Sequence, residues 1–206
     1  MRFEGPHPGE ELNLGEVTQP RQAASLILLR DSNAGPEVLL VERNPKQRFM
    51  GGAWVFPGGA VHPEDAGHAG AAIRELGEEA GITLPADAEL VPFSRWITPA
   101  QVKVRFDTWF FAARAPEGAR ETPDGGECVD ARWLRPGDAL AAADRDELML
   151  VFPTIKHLEQ LARFESVAAL LEAARGRTVE PVEPRMAVRD GAAEVLLPGE
   201  PGYDEA

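Results

Sequence analysis

Residues 56–82 constrain the fold more than any other part of the chain. They begin with Phe56-Pro-Gly-Gly59, an apolar strand end followed by a turn, and continue through an irregular loop into a helical segment at 69–80. At about 100° per residue, this helix would carry an apolar stripe on one side and acidic residues on the other. The stripe consists of Ala69, Ile73, Leu76 and Ala80, and the acidic residues are Glu75, Glu78 and Glu79. Gly81 followed by Ile82 predicts a left-handed C-cap at the end of the helix.

The three carboxylates are separated by three and four residues, which brings neighbouring Cβ atoms on a helix to roughly 5–6 Å. They repel one another unless a positive charge lies among them. Arg74 precedes Glu78 by four residues and can pair with one carboxylate, which leaves a surplus of negative charge. Ligands that are all oxygen favour a hard divalent cation, so we expect Mg²⁺ or Mn²⁺. The alternative is a solvated acidic helix face, because most charged residues are exposed.

The order Arg-Glu-Leu-Gly-Glu-Glu-Ala-Gly-Ile at 74–82, after Pro-Gly-Gly, resembles the Nudix box, the signature of the Nudix hydrolases. This second half of the box matches at every defined position. The first half departs from the family pattern, because Asp65 stands where the family has glutamate. In addition, eight residues separate Asp65 from Arg74 where the family has seven. The first acid of the family is largely structural, so the departure concerns the loop geometry more than the metal site.

The resemblance implies an α/β fold, the Nudix α/β/α sandwich with a mixed β-sheet between helices, to which the residue pattern of this chain adds a C-terminal helical and extended extension. It also implies metal-dependent hydrolysis of a pyrophosphate linkage in a nucleoside diphosphate joined to another moiety. In the family, a glycine carbonyl and the acids of the box hold the metal, here Gly59, Glu75, Glu78 and Glu79. We favour Glu78 or Glu79 as principal ligands. Arg74 would orient the acids, and Glu127 is a candidate base or ligand by position, with a solvated loop acid as the alternative.

Composition narrows the class of partner. The chain has 206 residues, a formal net charge of −13 and one cysteine, Cys128. This acidity argues against general binding to nucleic acid or to an anionic membrane, and the lack of a cysteine pair suits a reducing cytosol. No apolar run of about 18 residues occurs. We expect a soluble cytoplasmic protein with a small nucleoside-diphosphate substrate, and we consider a homodimer as its assembly.

The hydrophobic pattern divides the chain into an N-terminal arm at 1–20, a Nudix domain at 21–176 and an extended segment at 177–206. Apolar or alternating runs predict strands at 23–29, 37–42, 53–56, 89–96, 106–113 and 129–134. Helices are expected at 138–146 and within 153–174, where Ser166 is a predicted N-cap. In the last segment, Asp190-Gly191 predicts a hairpin that joins 186–188 to 194–197.

Basic residues cluster in the two segments that flank the box, and they are Arg43, Lys46, Arg48, Lys103 and Arg105. Arginine offers a bidentate fork to phosphate, so these residues are candidate substrate contacts. A solubilising surface loop explains the first three equally well. Trp96-Ile-Thr-Pro99 and Arg105-Phe-Asp-Thr108 resemble the Nudix branch that contains the peroxisomal coenzyme A diphosphatase. This resemblance adds Trp96 to the candidates and implies coenzyme A or an acyl-CoA as substrate, with ADP-ribose, a nucleotide sugar or a dinucleotide as alternatives.

Other functional classes agree less well with the sequence. A nucleotide-binding Nudix module without catalysis would usually have lost one acid of the box, and all three are intact here. Neither Gly-x4-Gly-Lys-Ser/Thr nor Gly-x-Gly-x-x-Gly occurs, which removes the P-loop and Rossmann alternatives. The four histidines are too scattered in sequence to indicate a zinc site or a catalytic triad.

Overall fold

The structure is a computed structural model that describes residues 2–3, 13, 15–189 and 192–206. The helices are α1 (Gly67–Ala80), α2 (Pro136–Asp144), α3 (Phe152–Leu161) and α4 (Val167–Arg175). The strands are β1 (Arg2–Phe3), β2 (Arg21–Ser32), β3 (Gly35–Arg43), β4 (Ala53–Val55), β5 (Gly58–Ala60), β6 (Val91–Ile97), β7 (Phe106–Arg114), β8 (Cys128–Leu134), β9 (Met149–Leu150), β10 (Pro181–Val182), β11 (Arg185–Arg189) and β12 (Ala192–Leu196). None of the described helices has the length and apolar content needed to cross a membrane.

One mixed sheet organises the molecule. Its strands run in the order β10-β6-β7-β2-β3-β4-β9, with β5 beside β2 and β8 beside β3. The long strand β2 pairs in parallel with β7 and antiparallel with β3 and β5. A smaller sheet of order β1-β12-β11 lies apart from this path. Gly58 and Gly59, which the sequence pattern places in a turn, lie instead in strand β5 and pair with Ser25 and Ala24 of β2.

Both faces of the sheet are covered by helices, because its central strands are apolar on both sides. In β2, Ile27 and Leu29 join the core shared with α3 and α4, whereas Leu26 and Leu28 join the core shared with α1. All four side chains are fully buried. This arrangement is an α/β/α sandwich with a mixed sheet, and it confirms the predicted fold class.

Helix α1 is turned about its axis relative to the sequence-based prediction. Ile73, assigned to the apolar stripe, is 39% exposed, whereas Glu75 and Glu79, assigned to the polar side, are buried. The side of α1 that faces the sheet carries Ala72 and Leu76 together with these two acids. The prediction was wrong here because hydrophobic periodicity always places acidic side chains on the exposed side of a helix, whereas these two acids face the interior. The C-cap prediction is confirmed, since Gly81 has φ 67° and donates its N–H to the Gly77 carbonyl.

The C-terminal segment returns to the main sheet. Strand β10 pairs in parallel with β6, next to Trp96. Glu183, just after β10, accepts a hydrogen bond of 2.6 Å from the guanidinium of Arg105, and the Glu183 carbonyl accepts one of 2.7 Å from the Tyr203 hydroxyl. Strands β11 and β12 pair antiparallel, as predicted, while the turn at Asp190-Gly191 lies outside the described residues.

Helix α4 begins at the predicted cap, and this gives a first testable expectation. The Ser166 side chain accepts a hydrogen bond of 3.2 Å from the Ala169 N–H. We expect Ser166→Ala to lower the free energy of unfolding by about 1 kcal/mol, the usual cost of losing an N-cap. Ser166→Asp should keep most of the stability, because aspartate caps equally well. Urea unfolding of the three proteins measures the difference, and equal stability of the alanine and aspartate variants would contradict a capping role.

Candidate active site

Three carboxylates converge where α1 meets the loop before β8. Each of Glu75, Glu79 and Glu127 offers an oxygen, and these oxygens lie within 4.8 Å of one another. Glu75 and Glu79 are one helical turn apart on the buried face of α1, whereas Glu127 is exposed on its loop. The group therefore joins two residues that are close in sequence to a third that only the tertiary fold brings near.

Burial disfavours the charged forms of the two carboxylates on α1. Loss of solvation raises the pKa of Glu79 to about 7, against the Gly58 N–H, which donates to its carboxylate at 2.9 Å and lowers the pKa. Burial also raises the pKa of Glu75, against the neighbouring Arg74 guanidinium, which lowers it. Carboxylates that must be charged in such surroundings need a positive partner. The donor set is all oxygen and fits a hard divalent cation such as Mg²⁺ or Mn²⁺.

Arg74 connects the acids of the box to the preceding loop. Its Nε and Nη2 donate to the two oxygens of Asp65 at 2.9 and 3.1 Å. Its Nη1 donates to Glu75 at 2.9 Å and to Glu78 at 2.8 Å. The hydrogen bonds from Arg74 lower the pKa of Asp65 to about 2. Aspartate at the position where the family has glutamate thus still makes a bidentate pair, and the loop with one additional residue closes onto the helix.

Two adjacent glycines allow the sheet edge to approach the acids. A Cβ at Gly58 would lie 2.6 Å from the Ala24 carbonyl oxygen and 2.7 Å from the Ser25 Cα. A Cβ at Gly59 would overlap the carboxylate of Glu75. Any larger residue at either position would displace the strand or the carboxylate, so the two glycines at the start of β5 leave room for the oxygen donors of the site.

The acids lie at one side of a cleft of about 660 Å³. Its apolar wall includes Phe49, Met50, Phe56, Phe106, Phe110 and Val151, and its polar wall includes Arg21, Arg43, His62, Glu78 and Asp124. Phe49 and Phe106 contact each other with ring centroids 5.7 Å apart. A cleft that combines convergent charged groups with aromatic surface is typical of small-molecule sites.

Glu78 stands apart from the group of three. Its side chain is 59% exposed and is paired with Arg74, although it lines the same cleft. The structure groups Glu127 rather than Glu78 with Glu75 and Glu79, and the assignment of Glu78 as a principal ligand stays a prediction. The pairing of Glu75 with Glu79 follows from a spacing of four residues on one helix face.

The predicted phosphate contacts separate into different surroundings. Arg43 lines the cleft, and its guanidinium lies 3.9 Å from the carboxylate of Glu79. Lys46 and Arg48 are exposed on the loop after β3, and Lys103 is exposed before β7. These three residues are not among those that line the cleft. Of the five basic candidates, the structure thus brings only Arg43 to the acidic group.

Two further candidates require correction. Trp96 is buried in the core, with its rings 5.6 Å from His157 and 6.1 Å from Phe152. Arg105 is also buried, and its guanidinium donates to the carbonyls of Thr98 and Thr18, both at 2.9 Å, and to Glu183. Both side chains support the fold of the connector between β6 and β7, so we withdraw them as substrate contacts.

Sequence reasoning missed several residues of the cleft. Arg21 lies at the start of β2, beside the box in space but far from it in sequence, and no local pattern marks it. Phe49 and Phe106 read as ordinary hydrophobic residues of a loop and a strand. Asp124 could have been found from the sequence, because Asp-Gly-Gly immediately before Glu127 is typical of a turn that fixes the position of the next residue.

The sequence also matches known proteins. The profile described as NUDIX domain matches residues 19–152, well over half of the chain. The chain belongs to the Nudix family. This match confirms the resemblance drawn from the box and extends it from β2 to the start of α3.

Several Nudix proteins resemble this chain in fold or in part of their sequence. The crystal structure of a NUDIX hydrolase from Alicyclobacillus acidocaldarius aligns with a TM-score of 0.68 and 26% identity, over 79% of this chain and 98% of that one. The uncharacterized Nudix hydrolase NudL of Citrobacter koseri is 42% identical over 78 residues, 37% of this chain and 39% of the relative. Acyl-coenzyme A diphosphatase NUDT19 of Homo sapiens is 32% identical over 119 residues, 55% of this chain and 32% of the relative. This Nudix chain therefore spans less than two thirds of either curated relative.

Proposed function

We propose that this Nudix protein hydrolyses the pyrophosphate linkage of a nucleoside diphosphate joined to another moiety, with Mg²⁺ or Mn²⁺ as cofactor. The observation that carries the proposal is the convergence of Glu75, Glu79 and Glu127, with oxygens within 4.8 Å of one another, in a cleft of about 660 Å³. Two of these acids are buried on the same face of α1, where burial disfavours their charged forms unless cationic partners lie nearby.

Each residue of the site has a role in this proposal. Glu75, Glu79 and Glu127 would hold the cation, with the Gly59 carbonyl as a further oxygen donor. When bound, a divalent cation neutralises pyrophosphate charge and lowers the pKa of a coordinated water. Arg74 orients the acids through its bonds to Asp65 and Glu75.

The remaining roles concern proton transfer and phosphate binding. Glu78 lines the cleft outside the group of three, and one of its oxygens accepts from Arg74; we assign it the role of accepting a proton from the attacking water. Arg43 is 3.9 Å from Glu79 and offers a guanidinium to a phosphate that approaches the acids. Attack on phosphorus in line with the leaving group requires little more of the protein than this positioning and charge.

Within this reaction class we propose coenzyme A or an acyl-CoA as substrate, cleaved to 3′,5′-ADP and a phosphopantetheine product. A relative with 32% identity over 119 residues is named an acyl-coenzyme A diphosphatase. Besides Arg43 and Arg74, the cleft is lined by Arg21, which we propose as the contact for the 3′-phosphate. ADP-ribose or a nucleotide sugar is the alternative, since either would use the same acids and Arg43.

A substrate panel tests the reaction class. Purified protein with Mg²⁺ should cleave at least one member of a set of coenzyme A, dephospho-coenzyme A, ADP-ribose and nucleotide sugars, with products identified by mass spectrometry. EDTA should abolish the hydrolysis, and added Mg²⁺ or Mn²⁺ should restore it and raise the melting temperature by linkage. Cleavage that persists in the chelator would contradict metal-assisted attack by water.

The same panel tests which compound is the preferred substrate. A charged contact to the 3′-phosphate should favour coenzyme A over its dephospho form by about 1.5 kcal/mol or more, roughly tenfold in kcat/KM. Arg21→Gln should reduce this preference, whereas Arg48→Gln, on an exposed side chain outside the cleft, should leave it unchanged. Equal rates on both forms, with faster cleavage of ADP-ribose, would move the assignment to ADP-sugars.

A further inference from the structure

Glu127 differs from Glu75 and Glu79 in the part of the backbone that carries it. Glu75 and Glu79 are fixed by α1, whereas Glu127 lies on a loop directly after Gly125 and Gly126. Glycine allows many backbone conformations, and ordering such a loop costs conformational entropy. A carboxylate on this loop can lie at a defined distance from α1 only if other residues fix its backbone.

Asp124 fixes this backbone from one side. Its Oδ2 accepts hydrogen bonds from the N–H groups of Gly126 at 3.0 Å and Glu127 at 2.9 Å. Its Oδ1 accepts one from the Cys128 N–H at 2.8 Å. One carboxylate thus binds three consecutive N–H groups, and the middle one belongs to Glu127. In addition, the Gly125 N–H donates to the Cys128 carbonyl at 2.9 Å and closes the turn.

Asn44 fixes it from the other side. Its backbone N–H donates to the Glu127 carbonyl at 2.8 Å, and its Nδ2 donates to the Gly126 carbonyl at 2.8 Å. Asn44 follows Arg43, the cationic residue near Glu79, at the end of β3. Each of the two peptide groups that flank the Glu127 Cα is therefore bound from both sides, its N–H group by Asp124 and its carbonyl by Asn44.

We propose that Asp124 and Asn44 are positioning residues that hold Glu127 where its carboxylate completes the cation-binding group with Glu75 and Glu79. This inference rests on the proposed function insofar as it assigns Glu127 to the metal. Neither residue needs to touch the cation. Groups that orient a metal ligand commonly change metal affinity by about 10- to 100-fold when they are removed.

Binding of Mn²⁺ in the absence of substrate tests the proposal, measured by isothermal titration calorimetry. We expect Asp124→Ala, Asn44→Ala and Glu127→Gln each to weaken Mn²⁺ binding by about tenfold or more. Asn44→Ala separates positioning from electrostatics, because it changes no charge. Its matched control is Asn33→Ala, on an exposed turn between β2 and β3, which should bind Mn²⁺ like the wild type.

Double variants show whether the two residues act through Glu127. In a Glu127→Gln background, Asn44→Ala should weaken Mn²⁺ binding little further, because the ligand that it positions is already impaired. Independent, additive losses would overturn the inference, as would wild-type affinity of Asn44→Ala. Wild-type affinity of Glu127→Gln would instead remove Glu127 from the proposed metal group.

Folding is checked separately from binding. Melting temperatures in EDTA show whether a variant keeps its structure without metal. If Asp124→Ala is unfolded, Asp124→Asn, which retains an oxygen acceptor, and Asn44→Ala carry the test. An Asn44→Ala protein that is folded in EDTA and binds Mn²⁺ as tightly as the wild type would contradict the proposal whatever the behaviour of the Asp124 variants.

Discussion

Replacing Glu79 with glutamine should lower kcat by more than about 100-fold and leave the protein folded. Glu79 is almost fully buried, and its carboxylate belongs to the group of three while it accepts the Gly58 N–H. Glutamine keeps the shape and an oxygen acceptor but removes the charge that would hold a cation at the reacting phosphate. Loss of charge that acts on the transition state has effects of this size. Steady-state kinetics at saturating Mg²⁺ on the substrate identified in the panel measures kcat.

The control for this prediction shows whether the loss of kcat comes from removing a charge in the site or from changing the net charge of the protein. Glu172→Gln changes an acid of α4 whose side chain is 79% exposed, and it should keep wild-type kcat. Glu79→Gln should also be at least as stable as the wild type in EDTA, because it removes a buried charge beside Glu75. Wild-type kcat in the Glu79 variant would refute the proposed metal group.

Glu78→Gln addresses a different role. If Glu78 accepts the proton of the attacking water, its variant should lose kcat while it retains Mn²⁺ affinity, since Glu78 lies outside the group of three. Parallel losses of both quantities would make Glu78 a metal ligand, as the sequence first indicated. The comparison with Glu79→Gln therefore assigns the two neighbouring acids separately.

The parts of the fold that the sequence predicts are those governed by local patterns. Period-2 or continuous apolar runs locate the strands β2, β3, β4, β6, β7 and β8 within a few residues. The caps at Gly81 and Ser166 depend on one or two residues and are also as predicted. Strands β5, β9 and β10 escaped prediction because they have two or three residues and exist only by pairing with partners distant in sequence.

The candidate site likewise combines features that local sequence predicts with features that only the tertiary fold creates. The pairing of Arg74 with its neighbouring acids follows from helical spacing, and the sequence motif at 74–82 indicates the family. By contrast, the proximity of Glu127 to α1, and the burial of Arg105 under Thr18 and Glu183, depend on contacts between distant segments. The sequence alone cannot distinguish an arginine that binds substrate from one that binds other parts of the protein. For this reason the sequence predicted Arg105 as a substrate contact.

The second large effect concerns His157, a buried residue of α3. Its imidazole Nε2 lies 2.5 Å from the Ser94 hydroxyl, and its ring is surrounded by the aromatic rings of Phe56, Phe93, Trp96 and Phe110. Burial among these rings disfavours the charged imidazolium and lowers the pKa of His157 to about 4. Phe56 and Phe110 also line the cleft, so this residue supports the wall of the site from inside the core.

We expect His157 to make the wild type lose stability as the pH falls below neutrality. In the unfolded chain a histidine takes up its proton near pH 6.5, whereas in the folded protein His157 does so only near pH 4. Between these values the unfolded state binds more protons, so the free energy of unfolding decreases with decreasing pH. From pH 7 to pH 5 this residue alone should remove about 2 kcal/mol.

Urea unfolding of the wild type and of His157→Gln at pH 7, 6 and 5 isolates this contribution, because all other titrating groups are common to both proteins. Glutamine does not titrate and can still bond to Ser94, so its free energy of unfolding should fall by about 2 kcal/mol less over the same interval. His157→Leu combined with Ser94→Ala provides a second protein without the imidazole, should the glutamine variant be too unstable to measure. Stability curves that run parallel to the wild type would show that the imidazole charges as readily in the fold as in water. The aromatic surroundings of His157 would then have to open to solvent in the native state.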